Sequence, residues 1–186
     1  MNWRCTLILL VTIAAPLHAA ELREIAVGHK KGVYTMKSVV WFDAPIDNTY
    51  AIFRSWDYSK DFSSAIVEAR DVEPDEQGRP QYYSRMKGCV LFFCREFVRQ
   101  GYAEVVPNEV LRAFANPDVS DFEFVNEVWT FTEEDSGTIV VYELAMDPKF
   151  WIPPAIGPYF IKRKLKQDGG QAIDRIEKIA QGLADE

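Results

Sequence analysis

Histidine and cysteine are the scarcest chemically reactive residues in this sequence. The chain has 186 residues, of which two are histidines and three are cysteines. His18 and Cys5 lie in an N-terminal stretch with the composition of a leader, so His29 is the one histidine left for a folded domain. Metal sites built from several histidines are therefore excluded. The sequence also lacks a Gly-x-Ser-x-Gly motif and a phosphate-cradling glycine loop, which removes two common enzyme signatures.

Apolar runs long enough to span a bilayer are absent as well. The N-terminal run from Thr6 to Pro16 has about 11 residues, whereas a membrane-spanning helix needs about 20. A short basic segment precedes this run and Ala19 follows it, which is the pattern of a secretory signal peptide. We therefore predict a signal peptide over residues 1–19, with cleavage after Ala19 or Ala20. An uncleaved anchor is the alternative.

Positive charge is also in short supply. Lysine and arginine together number 21 against 28 aspartates and glutamates, which gives a net charge of −7. Removal of the leader takes Arg4 away and lowers the net charge to about −8. Because nucleic acids are bound mainly through basic side chains, this balance argues against a nucleic-acid partner.

The two cysteines outside the leader, Cys89 and Cys94, are separated by four apolar residues. An exported protein enters an oxidising compartment, where such a pair is expected to form a disulfide that closes a short loop or pins two strands. Two alternatives remain open, a pair of buried thiols and one half of a metal site. The spacing differs from that of the Cys-x-x-Cys redox motif.

Strand-like runs with turn-forming separators dominate the middle of the chain. Alternation predicts a first strand over residues 33–43, with every second residue from Tyr34 to Phe42 on one face. Ile46, Tyr50 and Phe53 have helical spacing and predict a short helix over residues 45–57. Further strands are predicted over residues 65–72, 81–87, 93–106, 110–115, 122–132 and 138–146. The short links between these runs predict an antiparallel meander.

The C-terminal third changes to helical periodicity. Apolar residues from Pro154 onward mark one face of a helix of about 30 residues, which Gly169-Gly170 is expected to kink or break. A long amphipathic helix has to cover an apolar surface, and the meander offers one. The sequence thus predicts one α+β domain over residues 20–186, a curved antiparallel sheet wrapped around a long C-terminal helix. A cavity left between sheet and helix suits an apolar ligand.

Several short motifs carry a resemblance to a known superfamily. They are Phe42-Asp43-Ala44-Pro45 before a helix, the Cys89 to Cys94 segment, Ser120-Asp121-Phe122, Trp129, Tyr142-Glu143-Leu144, and Asp147-Pro148-Lys149-Phe150-Trp151-Ile152-Pro153. Over residues 32–180 the chain resembles the START-related helix-grip superfamily, which includes lipid-transfer domains, polyketide cyclases and coenzyme Q-binding START-like proteins. The first motif is general to the superfamily, and the others are most similar to secreted bacterial members. The resemblance implies a lipid-like ligand in a cavity, without a cofactor and without a defined catalytic residue set.

Eight residues are expected to line this cavity. Alternation on the last strand turns Tyr142 inward and Glu143 outward. The expected wall residues are Met86, Trp129, Phe131, Tyr142, Leu144, Met146, Ile156 and Phe160. Apolar stripes with the same spacing are also typical of a filled core, which is the alternative.

A second group is expected to form a gate or a membrane contact. Phe150, Trp151 and Ile152 stand before a double proline, which predicts a stiff apolar loop at the cavity mouth. Lys162 and Arg163 follow on the helix, where they would meet anionic lipid head groups. The alternative is a packed loop beside a solvated basic helix face.

These observations favour a periplasmic protein that binds or carries an apolar small molecule, such as a lipid or an isoprenoid quinone, without catalysis. The expected partners are this ligand and, transiently, a membrane; no metal or cofactor is expected. The alternatives are a cyclase-like or hydrolytic enzyme and an accessory module of an envelope complex. Catalysis would draw on an acid, a base or a charged partner from Glu127, Glu143, Asp121, Tyr142, Arg85 and Arg95.

Overall fold

The structure is a computed structural model that describes residues 20–90, 93–153 and 155–184. The predicted signal peptide lies outside the described residues. The strands are β1 (Glu21–Lys30), β2 (Val33–Phe42), β3 (Ile66–Val72), β4 (Gln81–Val90), β5 (Phe93–Val106), β6 (Val110–Ala115), β7 (Phe122–Glu134) and β8 (Gly137–Pro148). The helices are α1 (Ile46–Arg54), α2 (Trp56–Phe62) and α3 (Gly157–Ala184), with a 3-10 turn at Pro117–Val119.

The strands form one antiparallel sheet in the order β1-β2-β8-β7-β6-β5-β4-β3. Each strand pairs with the next one along the chain, except that β2 and β3 do not pair. β2 pairs instead with β8, so β1 and β3 are the two edge strands of the sheet. The helices α1 and α2 lie between β2 and β3 in the chain, and α3 packs against β1, β2, α1 and α2. The predicted α+β architecture of a curved antiparallel sheet gripping a long C-terminal helix is confirmed.

Strand β1 was not predicted. It is largely exposed and carries charged residues at Glu21, Arg23 and Glu24, so it lacks a clear alternation of apolar side chains. The turn to β2 explains its pairing. Lys31 and Gly32 both have positive φ angles, 52° and 89°, which suits a two-residue hairpin turn whose twist matches that of the strands.

The predicted helix over residues 45–57 is divided at Ser55. The backbone of Ser55 is extended (φ −94°, ψ 118°), which ends α1 and starts α2. Asp71 on β3 accepts a 3.2 Å hydrogen bond from the backbone N–H of Trp56. The first backbone N–H groups of a helix have no partner within the helix, and Asp71 supplies one for Trp56. Because Asp71 is 15 residues away, the spacing of apolar residues does not predict this contact.

Helix α3 runs through Gly169-Gly170 without the expected break. A Cβ atom on Gly169 would lie 2.6 Å from Met36 Cε and 3.3 Å from Ile25 Cδ1. The glycine therefore allows α3 to approach β1 and β2 closely. None of the helices in the described part of the chain is long and apolar enough to cross a membrane.

The main hydrophobic core lies where α1 and the end of α3 cover the sheet. It contains Val40, Phe42, Ala44, Ile52, Ala103, Leu111, Phe131, Val140, Ile173, Ile176 and Ala180. A second cluster of Met36, Ala115, Phe122, Val125 and Leu144 lies further along the sheet. On β2 the buried residues Tyr34, Met36, Ser38, Val40 and Phe42 are those that alternation placed on one face.

Candidate functional site

A cavity of about 570 Å³ lies between the concave face of the sheet and helices α2 and α3. Most of its wall is apolar or aromatic. The wall includes Val40, Phe53, Trp56, Met86, Phe97, Val125, Trp129, Leu144, Met146, Phe160, Leu165 and Ile173. A space of this size and composition is typical of a binding site for an apolar small molecule.

Six of the eight expected wall residues line the cavity: Met86, Trp129, Tyr142, Leu144, Met146 and Phe160. Phe131 does not. It is 4% exposed and packs against Tyr50 and Phe53, with ring centroids 5.4 and 5.6 Å away, so α1 fills the space in front of it. Ile156 does not line the cavity either. It precedes the first residue of α3 and is 38% exposed.

The exposed members of the lining form a rim. They are Lys87, Cys89, Cys94, Arg95, Trp151 and Lys164, which come from the β4–β5 hairpin, the segment after β8 and α3. Cys89 and Cys94 face each other across the hairpin and form the expected disulfide. The disulfide therefore belongs to the cavity rim as well as to the hairpin.

The segment 150–152 contributes to the lining, but its residues differ in exposure. The ring of Phe150 stacks on Phe97 at 5.5 Å and meets Phe122 edge-on at 5.9 Å, which anchors the segment on the sheet. Trp151 is 74% exposed. Lys162 is half-buried and Arg163 is exposed on α3, and both lie outside the lining.

Four hydrogen-bonded side chains form a polar strip across the otherwise apolar site: Ser84 on β4, Arg99 on β5, Glu127 on β7 and Tyr142 on β8. Arg99 donates to Glu127 Oε2 through Nη1 (2.6 Å) and to Ser84 Oγ through Nε (3.3 Å). The Tyr142 hydroxyl donates to Glu127 Oε1 at 2.7 Å. All but Ser84 line the cavity.

The electrostatics of the polar strip fix the protonation states of Arg99 and Tyr142. Burial alone would lower the pKa of Arg99, but the adjacent Glu127 more than offsets this, and the pKa lies above its ordinary value. Burial, followed by the charge of Glu127, raises the pKa of Tyr142 well above its ordinary value. Arg99 is therefore a cation and Tyr142 a neutral hydrogen-bond donor at neutral pH.

Two aromatic side chains surround the polar strip. Trp129 stacks on Tyr142 with ring centroids 5.1 Å apart. Trp56 stacks on Tyr82 at 4.0 Å, and the Arg99 Cζ atom lies 5.7 Å from the Trp56 ring. The rigid ring of Trp129 thus holds Tyr142 in position, and the ring of Trp56 packs beside the guanidinium of Arg99.

Of the remaining enzymatic candidates, Arg95 lies on the cavity rim and the other three lie outside the lining. Arg85 forms ion pairs with Glu68 and Glu96, and none of these three lines the cavity. Asp121 accepts a 2.7 Å hydrogen bond from the backbone N–H of Val98 and has a structural role. Arg95 lies on the rim, 3.6 Å from Asp121. Glu143 is exposed beside inward-facing Tyr142 and Leu144.

Trp56 and Arg99 are wall residues that sequence reasoning missed, and Arg99 left a signal in the sequence. It stands in phase with Phe97 and Ala103 on β5, so alternation places all three on the inner face. A charged residue on an inner face is a usable signal for a site, because a buried charge needs a partner.

Among the residues that the structure describes, no group of three or more His, Cys, Asp or Glu side chains is arranged to hold a metal ion.

Comparison with solved structures identifies the fold. A START superfamily protein from Mycobacterium smegmatis superposes with a TM-score of 0.62 at 14% identity, over 80% of this chain and 98% of that chain. A STAR-related lipid transfer protein from Xanthomonas axonopodis gives a TM-score of 0.58 at 12% identity, over 86% and 98%. The di-domain ARO/CYC StfQ from the steffimycin biosynthetic pathway gives 0.58 at 10% identity, over 83% and 53%.

These similarities show that the chain has the START-like helix-grip fold, in agreement with the resemblance found in the sequence. The chain spans about half of the ARO/CYC protein, which has two domains. No protein-family model and no curated protein sequence matches the chain. At these identities the likeness concerns the fold alone, so the function has to be argued from the cavity.

Proposed function

We propose that this protein binds and carries an apolar small molecule, a lipid or an isoprenoid quinone, in the sheet–helix cavity and does not alter it chemically. The cavity of about 570 Å³ with its apolar wall carries the proposal. Burial of apolar ligand surface would contribute roughly 25 cal/mol per Å² to binding. Solved neighbours with the same fold include a protein named for lipid transfer, which suggests the same class of ligand.

Export to the periplasm is part of the proposal. The basic start, the apolar run and the small residues Ala19 and Ala20 support a cleaved signal peptide. The Cys89–Cys94 disulfide suits an oxidising compartment. Both features are consistent with a carrier that works outside the cytoplasm.

Transient contact of the rim and of the adjacent first turns of α3 with a membrane completes the proposal. Trp151 is 74% exposed, and Tyr159 in the first turns of α3 is 61% exposed. Lys162, Arg163 and Lys166 lie on the same part of α3, where residues 157–167 contain no acidic side chain. Exposed aromatic rings beside basic side chains favour the interface of an anionic bilayer.

An enzyme on the same fold is the second candidate. The hydrogen bond between Tyr142 and Glu127 gives the cavity an acid–base pair, and one solved neighbour is an ARO/CYC protein. However, Glu127 also accepts a hydrogen bond from Arg99, so both of its carboxylate oxygens already have a donor. This arrangement favours a fixed binding group over a base that is free to take a proton.

Native mass spectrometry of protein purified gently from the periplasm tests the carrier proposal. We expect one apolar molecule per chain, its loss on delipidation, and its unaltered return on incubation with the extracted lipid. Recovery of a chemically changed molecule would favour the enzyme. Repeated preparations that carry no ligand and take none up would favour the accessory module.

The matched variants are Ala172→Phe, which places a ring in the cavity wall, and Gln171→Phe on the exposed side of the same helix. The carrier proposal predicts that the first variant loses the co-purifying molecule while the second retains it. Equal retention by both variants would place the ligand elsewhere. Circular dichroism checks that both variants are folded.

A further inference from the structure

Two buried side chains beside the polar strip have no hydrogen-bond partner in the part of the chain that the structure describes, which leaves an excess of unpaired donors there. Trp56 lines the cavity and is 4% exposed, and its indole N–H meets no acceptor in the described residues. The hydroxyl of fully buried Tyr82, which stacks on Trp56, is also without a partner there. Buried donors without acceptors are rare in native proteins, so this excess requires an explanation.

Arg99 adds to the excess. A guanidinium carries five N–H donors and no acceptor. Within the described part of the chain, one of these donors reaches Glu127 and one reaches Ser84. The other N–H groups belong to a side chain on the cavity wall, 5.7 Å from the Trp56 ring. Arg99 and Trp56 therefore bring unused donors to the same end of the cavity.

The charge at this end is already balanced. Arg99 and Glu127 form a buried ion pair at 2.6 Å, with side-chain exposures of 10% and 5%. Glu127 accepts from Arg99 with one oxygen and from Tyr142 with the other. A carboxylate ligand would add a second negative charge that no further buried cation compensates, and burying such a charge is strongly unfavourable.

We propose that the ligand carries an uncharged acceptor oxygen, the carbonyl of a ketone, quinone or ester, and that Trp56 and Arg99 donate hydrogen bonds to it. The inference rests on the proposed carrier function and narrows its ligand class. Neutral carbonyl compounds fit the donor excess and leave the ion pair intact. Free fatty acids, which are ionised at neutral pH, do not fit.

The test compares three competitors of equal chain length, heptadecane, its methyl ketone and heptadecanoic acid, in displacement of the neutral dye phenylnaphthylamine at neutral pH. The wild-type protein is expected to bind the ketone at least about tenfold more tightly than the ionised acid. Replacement Trp56→Phe is expected to weaken ketone binding about fivefold, the value of one hydrogen bond, and to leave alkane binding unchanged.

Tyr82→Phe is the matched control. It also removes one buried, unpartnered donor and keeps the stacked ring, but Tyr82 does not line the cavity. We expect it to change the affinity of neither the ketone nor the alkane. The comparison between the ketone and the alkane within one variant cancels any general effect of the substitution on the cavity shape.

Equal losses of ketone and alkane affinity in Trp56→Phe would overturn the inference, as would a wild-type preference for the acid. Both results would leave the carrier proposal standing, because ligands would still bind in the cavity. Failure of the dye to bind the wild-type protein at all would instead overturn the carrier proposal. If Trp56→Phe did not fold, the wild-type ranking of ketone and acid would still decide.

Discussion

Arg99 Nη1 on β5 lies 2.6 Å from Glu127 Oε2 on β7, and both side chains are buried in the cavity wall. The two residues are 28 positions apart in the sequence, so the sheet creates the pair. A buried charge is tolerated when it is paired and hydrogen-bonded, and Ser84 and Tyr142 supply the additional hydrogen bonds. The pair therefore links the fold of the sheet to the polar end of the cavity.

Loss of one partner should destabilise the protein more than loss of both. Arg99→Met leaves Glu127 buried without its cation and is expected to lower the free energy of unfolding by about 3–5 kcal/mol. The double variant Arg99→Met with Glu127→Leu should recover most of this loss, because it buries no charge. Urea unfolding measures both values.

The surface variant Arg85→Met is the control for this experiment. Arg85 is paired with Glu68 and Glu96 on the outside of the sheet, so its replacement should have a much smaller effect than that of Arg99. A double variant that is no more stable than Arg99→Met alone would contradict this account of the buried pair.

The carboxylate of Glu177 should make stability depend on pH. Glu177 is 5% exposed on α3, accepts hydrogen bonds from the Asp43 backbone N–H and the Gln181 side chain, and has its pKa raised by burial. The folded state then binds a proton more tightly than the unfolded state. Its stability should fall as the pH rises from the ordinary glutamate range through the raised pKa.

Glu177→Gln keeps the hydrogen-bond acceptor and removes this titration. The variant is expected to be more stable than the wild type at mildly alkaline pH, with the difference shrinking as the pH falls. Thermal unfolding of both proteins over a pH series measures the difference. A difference that stayed constant, or that favoured the wild type increasingly as the pH rose, would refute the assignment.

The two adjacent glycines of α3 should respond differently to alanine. A Cβ on Gly170 meets nothing within 4 Å, so Gly170→Ala should raise the free energy of unfolding by about 1 kcal/mol through helix propensity. A Cβ on Gly169 would lie 2.6 Å from Met36 Cε, so the Met36 methyl group would have to shift to make room for it. Gly169→Ala should therefore be the less stable variant in chemical denaturation, and equal gains would contradict the close approach of α3 to β2.

Much of this fold follows from local patterns. Alternation over β2 and β8 assigned Met36 and Leu144 to the inner face, because one side of each strand is buried and the period is two. The exposed strand β1 gave no such signal. Its place depends on the Lys31-Gly32 turn and on backbone pairing with β2, neither of which requires apolar alternation in β1.

The site was harder to predict than the fold. Phe131 has the right spacing for a wall residue, but whether a space remains in front of it depends on α1. Glu127 and Tyr142 stood among many possible acid–base residues until the register of β5, β7 and β8 brought Arg99 to them. The volume of a cavity depends on how the side chains pack in three dimensions, and the spacing of residues along the chain does not determine that packing.

The central claim is that the cavity holds an apolar ligand. Titration with phenylnaphthylamine tests it most directly when wild-type protein, freed of ligand, is compared with Ala172→Phe and Gln171→Phe. We predict saturable binding of one dye molecule by the wild type and by Gln171→Phe, and its loss in folded Ala172→Phe, whose ring occupies the wall beside Ile173 and Ile176. Binding of the same strength by all three proteins, or by none, would contradict the claim.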